Sequence, residues 1–159
     1  MRWWVAVFPI EEILRKGSFV ADEVEVYVTQ GQSVSGDLKR TKITRAVESQ
    51  YFGLSVRTIK DGRIGNSSSS NPGDWEKCLN ASVASGKLAT PQLWKGLPGP
   101  VPLDSRPIAY DPALIPEKNV LVDLLKGMID GAASHPVEVT SGGAAISVQT
   151  LTLANSNGV

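Results

Sequence analysis

Between Glu23 and Ser68 the chain carries a run of strand-patterned segments joined by tight turns, and this block constrains the fold more than any other feature. Glu23-Val24-Glu25-Val26-Tyr27-Val28-Thr29 alternates polar and apolar residues with period two, the pattern of a strand with one buried face. Gln30-Gly31-Gln32 interrupts the pattern, and Val34 and Leu38 restart a weaker run. Lys42–Glu48 follows with charges flanking its apolar positions, and then Tyr51–Ile59, where Leu54, Val56 and Ile59 suggest an inner face with one slip near Thr58. Asp61-Gly62 is a strong hairpin signal, and Arg63–Ser68 can return as a short polar strand. Four to five strands in so short a stretch predict an antiparallel meander.

The other segments predict the second layer. Pro9–Lys16 reads as a short helix: Pro9 suits the first turn, Glu11 and Glu12 suit the positive end of the dipole, and Ile10, Ile13 and Leu14 form a stripe. Ser67–Ser70 with Asn71-Pro72-Gly73 reads as a turn-rich loop. Asp74 is positioned to cap a helix through Trp75, Leu79 and Val83 to Gly86. Seven prolines between residues 91 and 116 predict an extended connection, with Trp94 pinning it to the core. Asn119–Ala133 has the strongest helical period, with a wide apolar stripe of Val120, Leu121, Leu124, Leu125, Met128 and Ile129. Val137–Thr140 and Ala145–Ala154 read as two strands joined by a Gly142-Gly143 turn. The expected fold is α+β: a two-layer sandwich of mostly antiparallel sheet, a meander, with two to four helices on one face.

Composition excludes several function classes. Sixteen basic and sixteen acidic residues cancel, which argues against the cationic surplus that strong phosphate binding requires. Lys39, Arg40, Lys42, Arg45 and Arg57 face Glu23, Glu25, Asp37 and Glu48 along the block, so the polar face reads as a mixed, solvated surface and no nucleic-acid partner is expected. One cysteine, Cys78, permits no intrachain disulfide, the usage of an intracellular chain. The apolar start, Arg2–Phe8, is cut short by Pro9, Glu11 and Glu12, too early for a signal core or a membrane span.

Catalytic chemistry finds little to stand on. Cys78 shares a helical face with Trp75, Leu79 and Ser82 and reads as a core residue. His135 falls just past a helix end and reads as dipole-compensating or solvent-facing. A zinc site needs three or four ligands, and these two are far apart. Gly31-Gln32-Ser33-Val34-Ser35-Gly36 only approximates a nucleophile elbow and reads as a strand turn. Gly62 and Gly65 match no dinucleotide fingerprint, Glu23 and Glu25 read as exposed surface carboxylates, and the Asn-x-Ser patterns at Asn66 and Asn80 have meaning only with secretion. No catalytic, cofactor-binding or metal residue is expected. Asn157-Gly158 is a hairpin dipeptide with no return strand after it, so the 159 residues are expected to be the front of a longer protein.

The order and spacing of these pieces carry a family resemblance. "ADEVEVYVTQGQSVSGDLKRTKI" (Ala21–Ile43), "YFGLSVRTIKDGRIGNSSSSN" (Tyr51–Asn71), a helix, a proline-rich stretch with Asp104, a helix over 117–133 and the closing "LTLANSNGV" (Leu151–Val159) resemble the N-terminal domain of the TldD/PmbA family. That family is also called TldD/TldE and was formerly known as modulator of DNA gyrase. The resemblance covers the chain from about Glu11 onward. It implies a cytoplasmic protein that acts on small peptides and pairs as a homodimer or a TldD/TldE-type heterodimer. In the TldD type a His-Glu-x-x-x-His helix in the C-terminal half carries zinc, whereas the PmbA/TldE type lacks it; the "NSNG" wording is closer to the latter. By that resemblance residues 1–159 form a single N-terminal domain, free of cofactor and non-catalytic, that helps wall a cleft and build a dimer. The alternative is a stand-alone module that binds a peptide or protein through an exposed sheet edge.

Overall fold

A computed structural model describes residues 8–102, 111 and 115–159. Arg2–Val7, Asp104 and the middle of the 91–116 connection lie outside the described residues. The elements run α1 (Ile10–Gly17), β1 (Glu23–Lys39), β2 (Lys42–Lys60), β3 (Arg63–Ser69), a 3-10 turn (Pro72–Asp74), α2 (Trp75–Leu88), α3 (Lys118–Ala133) and β4 (Ser141–Asn155). The four strands form one sheet in the order β3-β2-β1-β4. Ser156 N donates to Val24 O at the start of β1, and Arg40, just past its end, donates to Thr140 O ahead of β4, so β4 runs antiparallel. The fold is the expected α+β arrangement of antiparallel sheet and helices.

The chain divides into two compact units. One holds the described residues up to Gln30, those from Phe52 to Pro102, and Thr150–Val159; the other holds Gly31–Tyr51 and the described residues from Asp111 to Gln149.

In the first unit, Val24, Val26, Val28, Leu54 and Val56 meet Ile13 of α1 and Cys78 and Leu79 of α2. The glycine Gly65 sets how closely α2 approaches. A Cβ there would meet Ser82 O and stand 2.5 Å from Gly86 N, so helix and strand touch backbone to backbone. The Asp61-Gly62 hairpin forms as expected, with φ of +50° and +70° at its two residues, the signature of a type I′ turn. β3 pairs with Leu54–Lys60 only, from Leu54↔Ser69 to Lys60↔Arg63. The slip expected near Thr58 is absent. Thr58 and Ile59 are both buried: Thr58 keeps the alternation of Leu54 and Val56, while Ile59 lines a depression together with Gln92 and Trp94. Asp74 stands at the start of α2 without a capping bond; its carboxylate pairs with Lys77, and Asn71 instead accepts from Gly73 N at the 3-10 turn. Beyond α2, residues 90–100 have no regular structure, as the prolines predict.

In the second unit, Val34, Leu38 and Ile146 form a small core with Leu121 and Leu125 of α3. Here the structure corrects several expectations. Gln30-Gly31-Gln32 does not break β1, which runs unbroken for 17 residues. Gly31 is a close approach: a Cβ there would press the Tyr51 ring at 2.5 Å and Val148 O at 2.7 Å. Lys42–Lys60 is likewise one strand, so the block holds three strands and not four or five. Gly142-Gly143 is no turn and Val137–Thr140 no strand; β4 begins at Ser141 and passes through both glycines, and a Cβ on Gly143 would stand 3.0 Å from Gly36 O. The stripe of α3 is also narrower than predicted: Leu121 and Leu125 are buried, whereas Leu124 and Met128 are exposed.

Candidate interaction surfaces

The residues that sequence reasoning tested for chemistry do not converge. Cys78 is buried in the core, as expected. His135 is exposed behind α3, its Nδ1 2.8 Å from Ser134 Oγ. The Gly31–Gly36 stretch lies inside continuous β1 rather than at a strand turn. Asn66 accepts a bond from Arg57 Nε, and Asn80 is exposed on α2. Among the described residues no group of three or more His, Cys, Asp or Glu side chains is placed to hold a metal ion. No helix of the described residues is long and apolar enough to cross a membrane.

Glu23 is not the exposed carboxylate the sequence suggests. Its Oε1 accepts from Leu97 N at 2.9 Å and from Asn157 Nδ2 at 3.0 Å, and its Oε2 accepts from Trp94 Nε1. Burial pushes the Glu23 carboxyl up, and the bonds from Leu97, Trp94 and Asn157 outweigh it and hold it below the ordinary carboxylate range. Asn157 also donates to Leu97 O at 2.8 Å, and buried Asn155 donates to Pro98 O at 2.9 Å while accepting from Asn157 N and Val159 N. One carboxylate and two asparagines thus clamp the proline-rich segment and the final turn to the start of β1. Trp94 pins the segment as expected, through a hydrogen bond to Glu23. The Asn155–Asn157 clamp had one sequence signal, two asparagines flanking a serine in a tight turn.

Two surfaces of the second unit are open. Leu124 and Met128, with Val120, Asp123 and Gly127, line a shallow depression along α3. The other is the flank of β2. Because β3 pairs only from Leu54 onward, Lys42–Tyr51 has no strand beside it on that side among the described residues. Side chains on both faces of this stretch are solvated: all of Lys42–Tyr51 is exposed except half-buried Val47. Such an edge offers unpaired backbone donors and acceptors to another chain.

The acids and bases that interleave in sequence do not interleave in space. Glu25 pairs with Arg57 at 3.0 Å, and Glu23 is consumed by the clamp. Glu48 accepts from Gln32 at 3.1 Å and pairs with Lys118 at 3.7 Å. Lys39, Arg40, Lys42 and Arg45, around the β1–β2 turn, are exposed and form no ion pair among the described residues.

Comparison with known proteins bears on this architecture. Residues 24–86 match the family model described as PmbA/TldA metallopeptidase domain 1. The fold is similar to that of TldE from Thermococcus kodakarensis, with a TM-score of 0.83 at 24% identity over 93% of this chain and 35% of that one. It is also similar to a protein of Bacteroides thetaiotaomicron described as a candidate modulator of DNA gyrase, with a TM-score of 0.74 at 18% identity over 94% and 36% of the two chains. A protein of Thermotoga maritima with a like description gives a TM-score of 0.72 at 17% identity over 94% and 36%. No curated protein matches the chain in sequence. The chain spans about a third of the length of these solved structures. Residues 24–86 thus match the model of that family's first domain in sequence, and nearly the whole chain shares the fold of these solved structures.

Proposed function

We propose that this chain is the non-catalytic first domain of a TldD/PmbA-type peptidase, or of its zinc-free partner subunit, and that it serves dimerisation and the walling of a peptide cleft in the cytoplasm. The observation that carries this reading is the flank of β2 at Lys42–Tyr51, which has no strand beside it among the described residues and where a second strand can add by main-chain bonds. The exposed apolar residues of α3 offer a second, separate contact surface. Zinc, in this reading, belongs to a His-Glu-x-x-x-His helix elsewhere in the parent, and no nucleic acid takes part. A stand-alone peptide-binding module would use the same edge, and the coding sequence downstream of Val159 separates the two.

Hydrogen exchange tests the edge directly. In dilute solution the amides of residues 42–51 that point away from β1 exchange fast. They become protected when an extended, uncharged peptide is added or when the chain's own concentration is raised. No protection under either condition would remove the basis of the proposal. The dialysed chain is expected to hold no stoichiometric zinc and to cleave no peptide, and one zinc per chain would contradict the assignment.

A further inference from the structure

The open flank of β2 is not electrically neutral. Four exposed cations, Lys39, Arg40, Lys42 and Arg45, flank the β1–β2 turn; Asp37 is the one acid within residues 37–45, and Glu138 lies two residues before Thr140, whose carbonyl accepts from Arg40 N. The nearest acid further along the strand, Glu48, is already engaged by Lys118 and Gln32. Arg40 adopts a φ of +56°, so the turn presents Lys39, Arg40 and Lys42 in close succession. Like charges so close repel one another, and no carboxylate of the described residues bonds to any of the four to relieve them.

Resting on the reading of β2 as a strand-addition edge, we propose that this edge selects an acidic segment: an extended peptide with carboxylates toward the end that lies beside the β1–β2 turn. Along β2, Lys42 and Arg45 are three residues apart and so project to opposite faces of the strand. A strand added alongside also alternates its side chains between faces, so carboxylates of either parity meet a cation. Main-chain bonds to the edge would supply affinity irrespective of sequence, and the cationic end would supply choice and direction. A duplex nucleic acid fits less well. It has no backbone donors and acceptors spaced for a strand edge, the patch is confined to one turn, and the exposed ring on this stretch, Tyr51, lies at its far end.

The test is fluorescence anisotropy on the full 159-residue chain with three labelled probes. These are an eight-residue peptide alternating Val with Glu, the same peptide with Gln for Glu, and a single-stranded oligonucleotide of equal charge. The acidic peptide is expected to bind at least tenfold tighter than the Gln peptide at low salt, with the gap closing as ionic strength rises. K42E/R45E is expected to abolish the preference, while K126E, an exposed charge reversal on α3, leaves it intact. Exchange of the amides over 42–51 is expected to slow in the acidic complex. Equal binding of the Glu and Gln peptides with equal protection would overturn the charge selection while leaving the edge intact. Loss of protection with every peptide would overturn both readings. Equal or tighter binding of the oligonucleotide, without amide protection, would show a plain polyanion patch and overturn the proposal. Both variants change exposed side chains, so unchanged thermal melts confirm that a lost preference reflects charge.

Discussion

At the scale of single residues, Glu23 and Gly65 hold positions that their neighbours make exacting. Glu23 accepts three hydrogen bonds from two segments distant in sequence, and each such bond to a charged group contributes about 1.5–3 kcal/mol. Glu23→Gln keeps the shape but turns an amide donor toward other donors, so it should cost about 2 kcal/mol in denaturant unfolding at neutral pH. The sign with pH follows from the lowered carboxyl. Its stabilisation is whole above the ordinary glutamate value of about 4.3 and is lost as pH falls through the lower native value, so the gap between wild type and Glu23→Gln should narrow below about pH 4. A gap independent of pH would mean that charge plays no part in the clamp. Gly65 and Gly86 face each other across the contact of α2 with β3, yet they should respond differently. A Cβ on Gly65 meets backbone that cannot move, so Gly65→Ala should cost about 3 kcal/mol. A Cβ on Gly86 would stand 3.3 Å from Gly65 N, a tight fit that alanine's gain of about 1 kcal/mol in helix propensity partly offsets. Thermal melts of the two variants should therefore rank Gly65→Ala well below Gly86→Ala.

At the scale of elements, α3 shows how few side chains anchor a helix of 16 residues. Leu121 and Leu125 are fully buried, and both lie against Gly36, where a Cβ would stand 2.8 Å from Leu125 Cδ1. Leu121→Ala should destabilise the second unit by about 3 kcal/mol, the usual range for a buried leucine that leaves a cavity. Hydrogen exchange across 118–133 is the measurement, and unchanged protection would show that α3 is held otherwise. Leu124→Ser, on the exposed side of the same helix, should change stability by no more than about 0.5 kcal/mol. The β2–β3 hairpin rests on its turn in the same way. Gly62 has φ +70°, and a Cβ there would stand 2.8 Å from Gln92 O, so Gly62→Ala strains both the turn and the docking of the proline-rich segment.

At the scale of the whole molecule, net charge and its distribution give different answers. A neutral chain should bind duplex DNA no more tightly than about 10⁻⁴ M at physiological salt, the weak end of non-specific binding. A steep salt dependence with micromolar affinity would revive a nucleic-acid role. Yet the ion pairs of Glu25 with Arg57 and of Glu48 with Lys118, together with the clamp on Glu23, sort the charges so that one turn stays cationic. The candidate edge becomes visible only with that sorting.

Local pattern was enough for the α+β class, the existence of the three helices to within a residue or two at their ends, the hairpin turn at Asp61-Gly62 and the burial of Cys78. These depend on periodicity and turn chemistry, which act over a few residues. Strand continuity was not legible at Gly31, Gly142 and Gly143. A glycine that ends a strand and one that admits a neighbouring backbone or ring are the same letter, and the neighbours here, Tyr51, Val148 and Gly36, are distant in sequence. The burial of Ile59 beside Thr58 was not legible either, since Ile59 lines a depression with Gln92 and Trp94, more than 30 residues away in sequence. Amino-acid sequence alone therefore determined the fold class, the helices and the Asp61-Gly62 turn. Tertiary structure decided which strands join, where Glu23 spends its charge and which edge stays open, because each of those rests on a contact between residues far apart along the chain.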